Sequence, residues 1–330
     1  MKRRRFIGIL GGAAAWPLGG HAQQPERLHR VGVWLPQSEN HPEARERVAA
    51  IGKALAGLGW VEGKNIRIDY RFTAGNPTLF KTYAAELVEL SPDVILVASS
   101  PGLMAVRERT RTIPIVFVNV SEPVGQGFVQ SLARPGGNIT GFSDADALLM
   151  GKWLQLLKDA APSVTRVAVI FNPDTAPFAA LYNAAIETAA PSFGMTVTLA
   201  PVRDDVGVEK AVTAHSREPG GAVIAYPQPF TAAQIDAIIA AVVRHRLPLI
   251  GGAGGAMTRD GGLMTYYIDL VAPFAQAASY VDRILKGASP ADLPVQQPTK
   301  YKLIINLRTA KALGLTVPPS MLDLADEVIE

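Results

Sequence analysis

From Arg30 onward, short runs of β-branched and aliphatic residues alternate with longer stretches whose apolar positions recur every three to four residues. RVGVWL (Arg30–Leu35) is a strand, and the segment Pro42–Leu58 is a helix closed by Gly59. NIRIDYRF (Asn65–Phe72) alternates at period two, as a half-buried strand does. A helix over Thr78–Leu90 follows, with Leu79, Tyr83, Leu87 and Leu90 along one face. DVILVAS (Asp93–Ser99) is continuously apolar, the pattern of a strand covered on both faces. A helix over Leu103–Arg109 and the strand IPIVFV (Ile113–Val118) complete a first β-α-β-α unit. Such alternation builds a mostly parallel sheet with helices on both sides.

The pattern then restarts. RVAVIF (Arg166–Phe171) repeats the character of RVGVWL. After it come a helix (Ala176–Phe193), TVTLAP (Thr196–Pro201), a helix near Val208–His215, GAVIAY (Gly221–Tyr226), a helix over Ala232–His245 and LPLIG (Leu247–Gly251). Two units of one architecture mean two lobes, with the Gly-rich RPGGNITGFS (Arg134–Ser143) as the crossing between them. The remaining elements are GGLMTYY, a helix over Asp269–Lys286, a Pro-rich loop and YKLIIN (Tyr301–Asn306). They return to the first lobe and cross back, giving three connections in all. The expected boundaries are 28–142 plus 266–298 for the first lobe and 143–265 plus 299–330 for the second. The expected hinge segments are Asn138–Phe142, Leu263–Tyr266 and Gln296–Thr299.

Residues 1–22 read as an address: Lys2 to Arg5 form a cationic head, Phe6–Leu18 is a short apolar stretch, and Gly20-His21-Ala22 is a cleavage pattern. Arg3-Arg4-Arg5-Phe6 also satisfies a twin-arginine signal. The chain has no cysteine, so a lipid anchor on Cys, disulfides and thiolate chemistry are excluded. The expected destination is therefore a soluble state in a Gram-negative periplasm. The 32 basic side chains outnumber the 29 acidic ones, but four of the basic ones lie in residues 1–22. Without that segment the net charge is −1, which removes the apparent case for nucleic acid binding.

Ligands of open parallel sheets bind beyond the carboxyl ends of the strands. That rule selects Ser38, Ser99, Ser100, Asn119, Asn172, Asp174, Tyr226 and Gln228 as candidate ligand contacts. Ser99 and Ser100 would bind an anion, Asp174 an ammonium group, and Tyr226 an apolar portion. Helix capping is an equal reading for Ser38, Ser99 and Asp174, and a cap is the favoured reading for Glu122 ahead of Pro123. No catalytic residue, cofactor motif or metal-ligand spacing is found. Gly125-Gln126-Gly127 lacks the third glycine of a dinucleotide loop, and the histidines after residue 22 are not paired at ligand spacing. The favoured ligand is an amino acid or another carboxylate-bearing solute. A neutral sugar or nucleoside, and an enzyme on the same two lobes, stand as alternatives.

Several segments together resemble the ATP-binding cassette substrate-binding family that includes tryptophan- and tyrosine-binding components. They are LGWVEGKNIRIDYRF (Leu58–Phe72), SLARPGGNITGFS (Ser131–Ser143), GGLMTYY (Gly261–Tyr267), the long segment Tyr280–Pro318 and the terminal ADEVIE. The resemblance implies an α/β, type I periplasmic-binding-protein-like fold: two doubly wound parallel-sheet lobes joined by a three-segment hinge. It also implies the absence of catalysis; the expected protein is a monomer that delivers solute to the membrane permease subunits of an importer. The chain departs from the family pattern at Glu122-Pro123, at Tyr266-Tyr267 and over Gln37–Ala50.

Overall fold

The computed structural model describes residues 27–144, 147–252 and 254–330; the export signal expected over residues 1–22 lies outside them. The first lobe runs β1 (His29–Leu35), α1 (Pro42–Gly57), β2 (Ile66–Phe72), α2 (Pro77–Glu89), β3 (Val94–Ala98), α3 (Ser100–Arg109), β4 (Ile115–Val120) and β5 (Ile139–Ser143). The second runs α4 (Leu149–Ala160), β6 (Arg166–Phe171), α5 (Ala179–Ala189), β7 (Thr196–Pro201), α6 (Asp205–His215), β8 (Gly221–Ala225), α7 (Pro229–Ala233), α8 (Ile235–Arg244), β9 (Leu249–Gly251), α9 (Gly255–Arg259) and β10 (Met264–Ile268). The chain crosses back as α10 (Ala272–Leu285), then finishes in the second lobe with β11 (Tyr301–Asn306), α11 (Leu307–Ala312), α12 (Pro319–Leu322) and β12 (Glu327–Ile329).

The first sheet is parallel throughout, in the order β2-β1-β3-β4-β5. The second has the order β12-β11-β10-β9-β8-β6-β7, with β10 and β11 its one antiparallel pair. Period-two alternation divides each strand between two cores. Val31, Val33 and Leu35 pack toward Phe274 and Val281 of α10, while Trp34 between them joins Phe80 and Leu103 on the other face. In the second lobe Val167, Val169 and Phe171 meet Trp153 and Leu157 of α4, and Ile170 meets Val208 and Ile238. α4 went unread in the sequence, although Leu149, Met150, Trp153, Leu154 and Leu157 mark a strong apolar stripe.

Helix α10 follows a strand of the second sheet but packs on α1 and β4 of the first. Trp60 Nε1 donates to Asp282 Oδ1 at 2.9 Å and ties α10 to the end of α1. Two crossings therefore fall later than expected. Asn138–Phe142 belongs to β5 and its approach, and the chain leaves the first sheet only after Ser143. Tyr266–Ile268 are not part of the first lobe, because they pair with Tyr301–Leu303 of β11. That crossing falls at Asp269–Val271. The third passes through Gln296–Thr299, where Gln296 bridges to Phe142. No helix begins at Pro123 either; Glu122 adopts φ +45° in a turn and accepts the Ala147 N–H at 2.5 Å.

Candidate functional site between the lobes

The order of strands reverses between β1 and β3 in the first sheet and between β6 and β8 in the second. Loops leaving such switch points diverge and open a crevice, and here the two crevices face one another across a shared pocket. The first lobe supplies Gln37 after β1, Glu43 and Arg47 from α1, and Ser99 and Ser100 after β3. It adds Asn119 and Ser121 at the end of β4 and Asp144 after β5. The second lobe supplies Phe178, the Pro227–Pro229 loop, Ala232 and Gly252. Both lobes touch at the rim. A Cβ on Gly75 would stand 3.4 Å from the Ala233 Cβ and 3.5 Å from the Pro229 oxygen, and one on Gly125 would stand 2.9 Å from Leu181.

The walls hold polar atoms that the protein itself leaves unmatched. Gln37 Oε1, Arg47 Nε, Ser99 Oγ, Asn119 Oδ1, Ser121 Oγ and Gln228 Nε2 are all buried without a hydrogen-bond partner. Burying an unmade hydrogen bond costs about 1–3 kcal/mol, so six such atoms around one cavity describe a surface built to be completed by something else.

Local structure explains how each is held. Ser99 stands between β3 and α3 with φ +72°, a strained conformation for a residue with a side chain. Its backbone N–H donates to the Val118 oxygen, yet its hydroxyl does not cap α3, which disposes of the capping reading. A Cβ on Gly102 would lie 2.5 Å from the Trp34 ring, so only glycine lets the first turn of α3 settle this low against the sheet. Ser100 Oγ accepts from Ser121 N at 3.2 Å and Gln126 Nε2 at 3.1 Å, joining the loops after β3 and β4. Asn119 sits at the register shift between Val118 and Val120 with φ +54°. The extra residue re-aims a side chain. Its Nδ2 donates to the Leu270 oxygen at 3.0 Å, which fixes the amide orientation and leaves Oδ1 over. Gln228 Oε1 accepts from Asn172 N at 3.2 Å and Thr175 Oγ1 at 3.0 Å, so Nε2 is the free end.

Ser99, Ser100, Asn119 and Gln228 thus come together at the cavity, and the other four sequence candidates do not. Ser38 is exposed, and its carbonyl accepts the His41 N–H. Asn172 uses Oδ1 to accept the Asp174 N–H at 2.8 Å and serves the loop. Asp174 is exposed and bound to Arg203 Nε at 2.8 Å, so it is already neutralised away from the cleft. Tyr226 is fully buried in the second-lobe core, where it donates its hydroxyl to Asn183 Oδ1 at 2.9 Å and meets Tyr182 edge-on at 5.3 Å. Burial drives its hydroxyl pKa far above the ordinary value.

Sequence reasoning did not single out Gln37, Glu43, Arg47, Ser121, Asp144 or Phe178 as ligand contacts, although the loops that carry Gln37 and Ser121 follow strand ends. Arg47 carried a readable signal. It shares the buried stripe of α1 with Ala44, Ile51 and Leu55, where an apolar residue belongs. Its side chain is 5% exposed, donates from Nη2 to Glu43 Oε2 at 3.1 Å, and lies over the Phe274 ring at 5.3 Å. Burial lowers its pKa from the usual guanidinium value, and the charges of Glu43 and Glu46 oppose that shift. Among the described residues no group of metal-ligating side chains is assembled, and no helix is long and apolar enough to cross a membrane.

Two doubly wound lobes facing one another across a cavity with unmatched polar atoms in its walls define a bilobed solute-binding protein. The chain belongs to the ABC transporter substrate binding protein family, whose model matches residues 32–329. It is therefore a component that captures a small polar solute for an ATP-binding cassette transporter. A tyrosine-binding protein of Clostridioides difficile is 27% identical over 287 residues, covering 86% of this chain and 81% of that one. An ABC domain from Streptococcus pneumonia, solved in complex with L-Trp, is 25% identical, with a TM-score of 0.82 over 92% of this chain and all of the other. A ligand-free, open substrate binding protein from Clostridium difficile is 24% identical over the same 92% of this chain and 99% of its own. Its TM-score is lower, at 0.66.

Proposed function

We propose that the chain is exported in soluble form to a periplasm and binds an α-amino acid between its lobes for delivery to permease subunits. It does no chemistry on that solute. The observation that carries the ligand class is the set of unmatched buried polar atoms, because their chemistry is mixed. Ser99 Oγ, Ser121 Oγ and Gln228 Nε2 can donate, and the N-terminus of α3 beside them favours negative charge. Together they suit a carboxylate. Asn119 Oδ1 accepts, and Asp144 brings a carboxylate to the same wall; the pair suits an ammonium group. Asp144 takes the role first given to Asp174. Phe178, 2% exposed at the cavity edge, takes the apolar contact first given to Tyr226. The tryptophan complex and the tyrosine-binding relative agree with this class. The rim contacts at Gly75 and Gly125, with the better match to the ligand-bound relative than to the open one, support a closed arrangement of the lobes.

A thermal-shift screen tests the ligand class. A solute that binds only the folded protein stabilises it by about 2.7 kcal/mol at a hundred times its Kd. At least one L-amino acid should raise the melting temperature by several degrees. Ser99→Ala combined with Asn119→Ala should abolish that rise. Stabilisation by sugars alone would remove the amino-acid reading. Amino-terminal sequencing of the exported protein should find Gln23 first.

A further inference from the structure

Resting on the amino-acid reading, we infer that Gln37, Glu43 and Arg47 form a separate subsite that recognises a neutral group on the solute able both to donate and to accept a hydrogen bond: a hydroxyl or a primary carboxamide. The first sheet sets the layout. β1, β3 and β4 lie side by side, so the loop after β3 sits between the loops after β1 and β4. Ser99 is thus central, Asn119 and Asp144 lie to one side of it, and Gln37 and Arg47 lie to the other. Strands are about 4.8 Å apart. The β1 side is one strand spacing from Ser99 and two from the Asn119 wall. A distal substituent of an amino acid spans that distance.

The chemistry of the cluster follows from which atoms are already used. Glu43 Oε2 accepts from both Gln37 Nε2, at 3.3 Å, and Arg47 Nη2, at 3.1 Å. A carboxylate only accepts, so the Gln37 amide must present nitrogen to it. Gln37 Oε1 is then fixed as a buried acceptor without a donor, and Arg47 Nε remains a buried donor without an acceptor. Arg47 as a whole is 4% exposed, and one face of its guanidinium is covered by Phe274. One solute group that gives a proton to Gln37 Oε1 and receives one from Arg47 Nε completes both. A second carboxylate would face Gln37 Oε1 and Glu43 with no proton to give. An ammonium would face Arg47. The ion pair with Glu43 already balances the arginine, so the subsite selects hydrogen-bond pattern rather than net charge. The segment between the end of β1 and the middle of α1 supplies all three residues.

The test uses ligand pairs that differ only in the distal group, measured by calorimetry on the full mature chain. The pairs are L-tyrosine against L-phenylalanine, and L-glutamine against L-glutamate and L-norleucine. In at least one set the hydroxyl or amide member should bind roughly tenfold tighter or better than its partners, because the analogue leaves buried groups unpaired. Gln37→Leu should erase that preference while the weaker member of the pair keeps its affinity. The double variant Glu43→Gln, Arg47→Met should do the same without leaving a lone buried charge. Equal affinity within every pair, or a preference that survives Gln37→Leu, overturns the subsite and leaves the amino-acid reading intact. Failure of all five amino acids, while sugars or non-amino carboxylates bind, overturns both.

Discussion

Gly141→Ala should destabilise the protein by about 3 kcal/mol or more, enough to lower the melting temperature by roughly 10 °C. Gly141 pairs with Phe117 in the parallel register of β4 and β5 and holds φ at +153°. A Cβ there would overlap the Phe117 carbonyl oxygen and stand 2.6 Å from its nitrogen. Backbone in a sheet has no rotamer with which to yield, so β5 must part from β4 or rotate. Either movement propagates, because β5 also holds the third crossing. Gln296 N donates to the Gly141 oxygen at 2.9 Å, and Ser143 N donates to the Gln296 oxygen at 2.9 Å. Gly137→Ala is the control, since a Cβ at that position meets nothing within 4 Å. Scanning calorimetry of the two variants should show the loss only at position 141. Equal melting temperatures would mean that β4 and β5 are not packed as described.

The strands were legible because burial on both faces leaves little freedom of composition: VILVA and GAVIA are short, β-branched apolar runs bounded by polar or Gly residues. What the sequence hides is which sheet a marginal strand joins. β10 joins the second sheet through β9, and its half-buried end at Tyr266 and Tyr267 is kept there by β11, more than thirty residues later. Tyr266 stacks on Tyr301 at 5.2 Å across that pair. No local pattern announces such a partner. Asp174 is the same case, since its partner Arg203 arrives only after the next strand.

Tyr226 was legible and was misread. Ala222, Ile224 and Tyr226 fall on one face at period two and share one core, while Val223 and Ala225 face the other. Parity alone sends the ring under the sheet rather than into the cleft. The same arithmetic at period 3.6 exposes Arg47, an arginine in a stripe otherwise made of Ala44, Ile51 and Leu55. Both errors came from reading residue type ahead of phase. Ser99 and Asn119 were found by their strand-end positions, but their positive φ values, which leave one hydroxyl and one amide oxygen unmatched, are properties of the packed loops and not of any short motif.

Gly75→Asn should weaken solute binding about 100-fold while leaving the melting temperature of the unliganded protein within about 1 °C of the parent. Gly75 lies in the loop after β2, which hydrogen bonds hold against the loop after β1: Ala74 N donates to the Gln37 oxygen and Gly75 N to the Pro36 oxygen at 2.7 Å. Its φ of +69° is a left-handed value that asparagine tolerates at small cost, so the substitution adds little strain to the lobe itself. Across the rim the situation differs. A Cβ alone reaches ordinary contact with Ala233 and the Pro229 oxygen, so the amide beyond it must occupy space those residues now fill. The wedge raises the energy of the closed arrangement and leaves an open one untouched. Apparent affinity falls by the fraction of molecules still able to close. Gly75→Ala separates wedge from strain. Its Cβ fits, but its left-handed backbone costs about 1 kcal/mol in open and closed forms alike, so it should lower the melting temperature and spare the affinity. Calorimetric titration with whichever amino acid emerges from the thermal screen reads the affinities, and small-angle scattering reads the shape. The parent should become more compact at saturation, and the asparagine variant should not. If that variant binds with parental affinity and compacts as the parent does, the Gly75 rim does not lie on the path of closure.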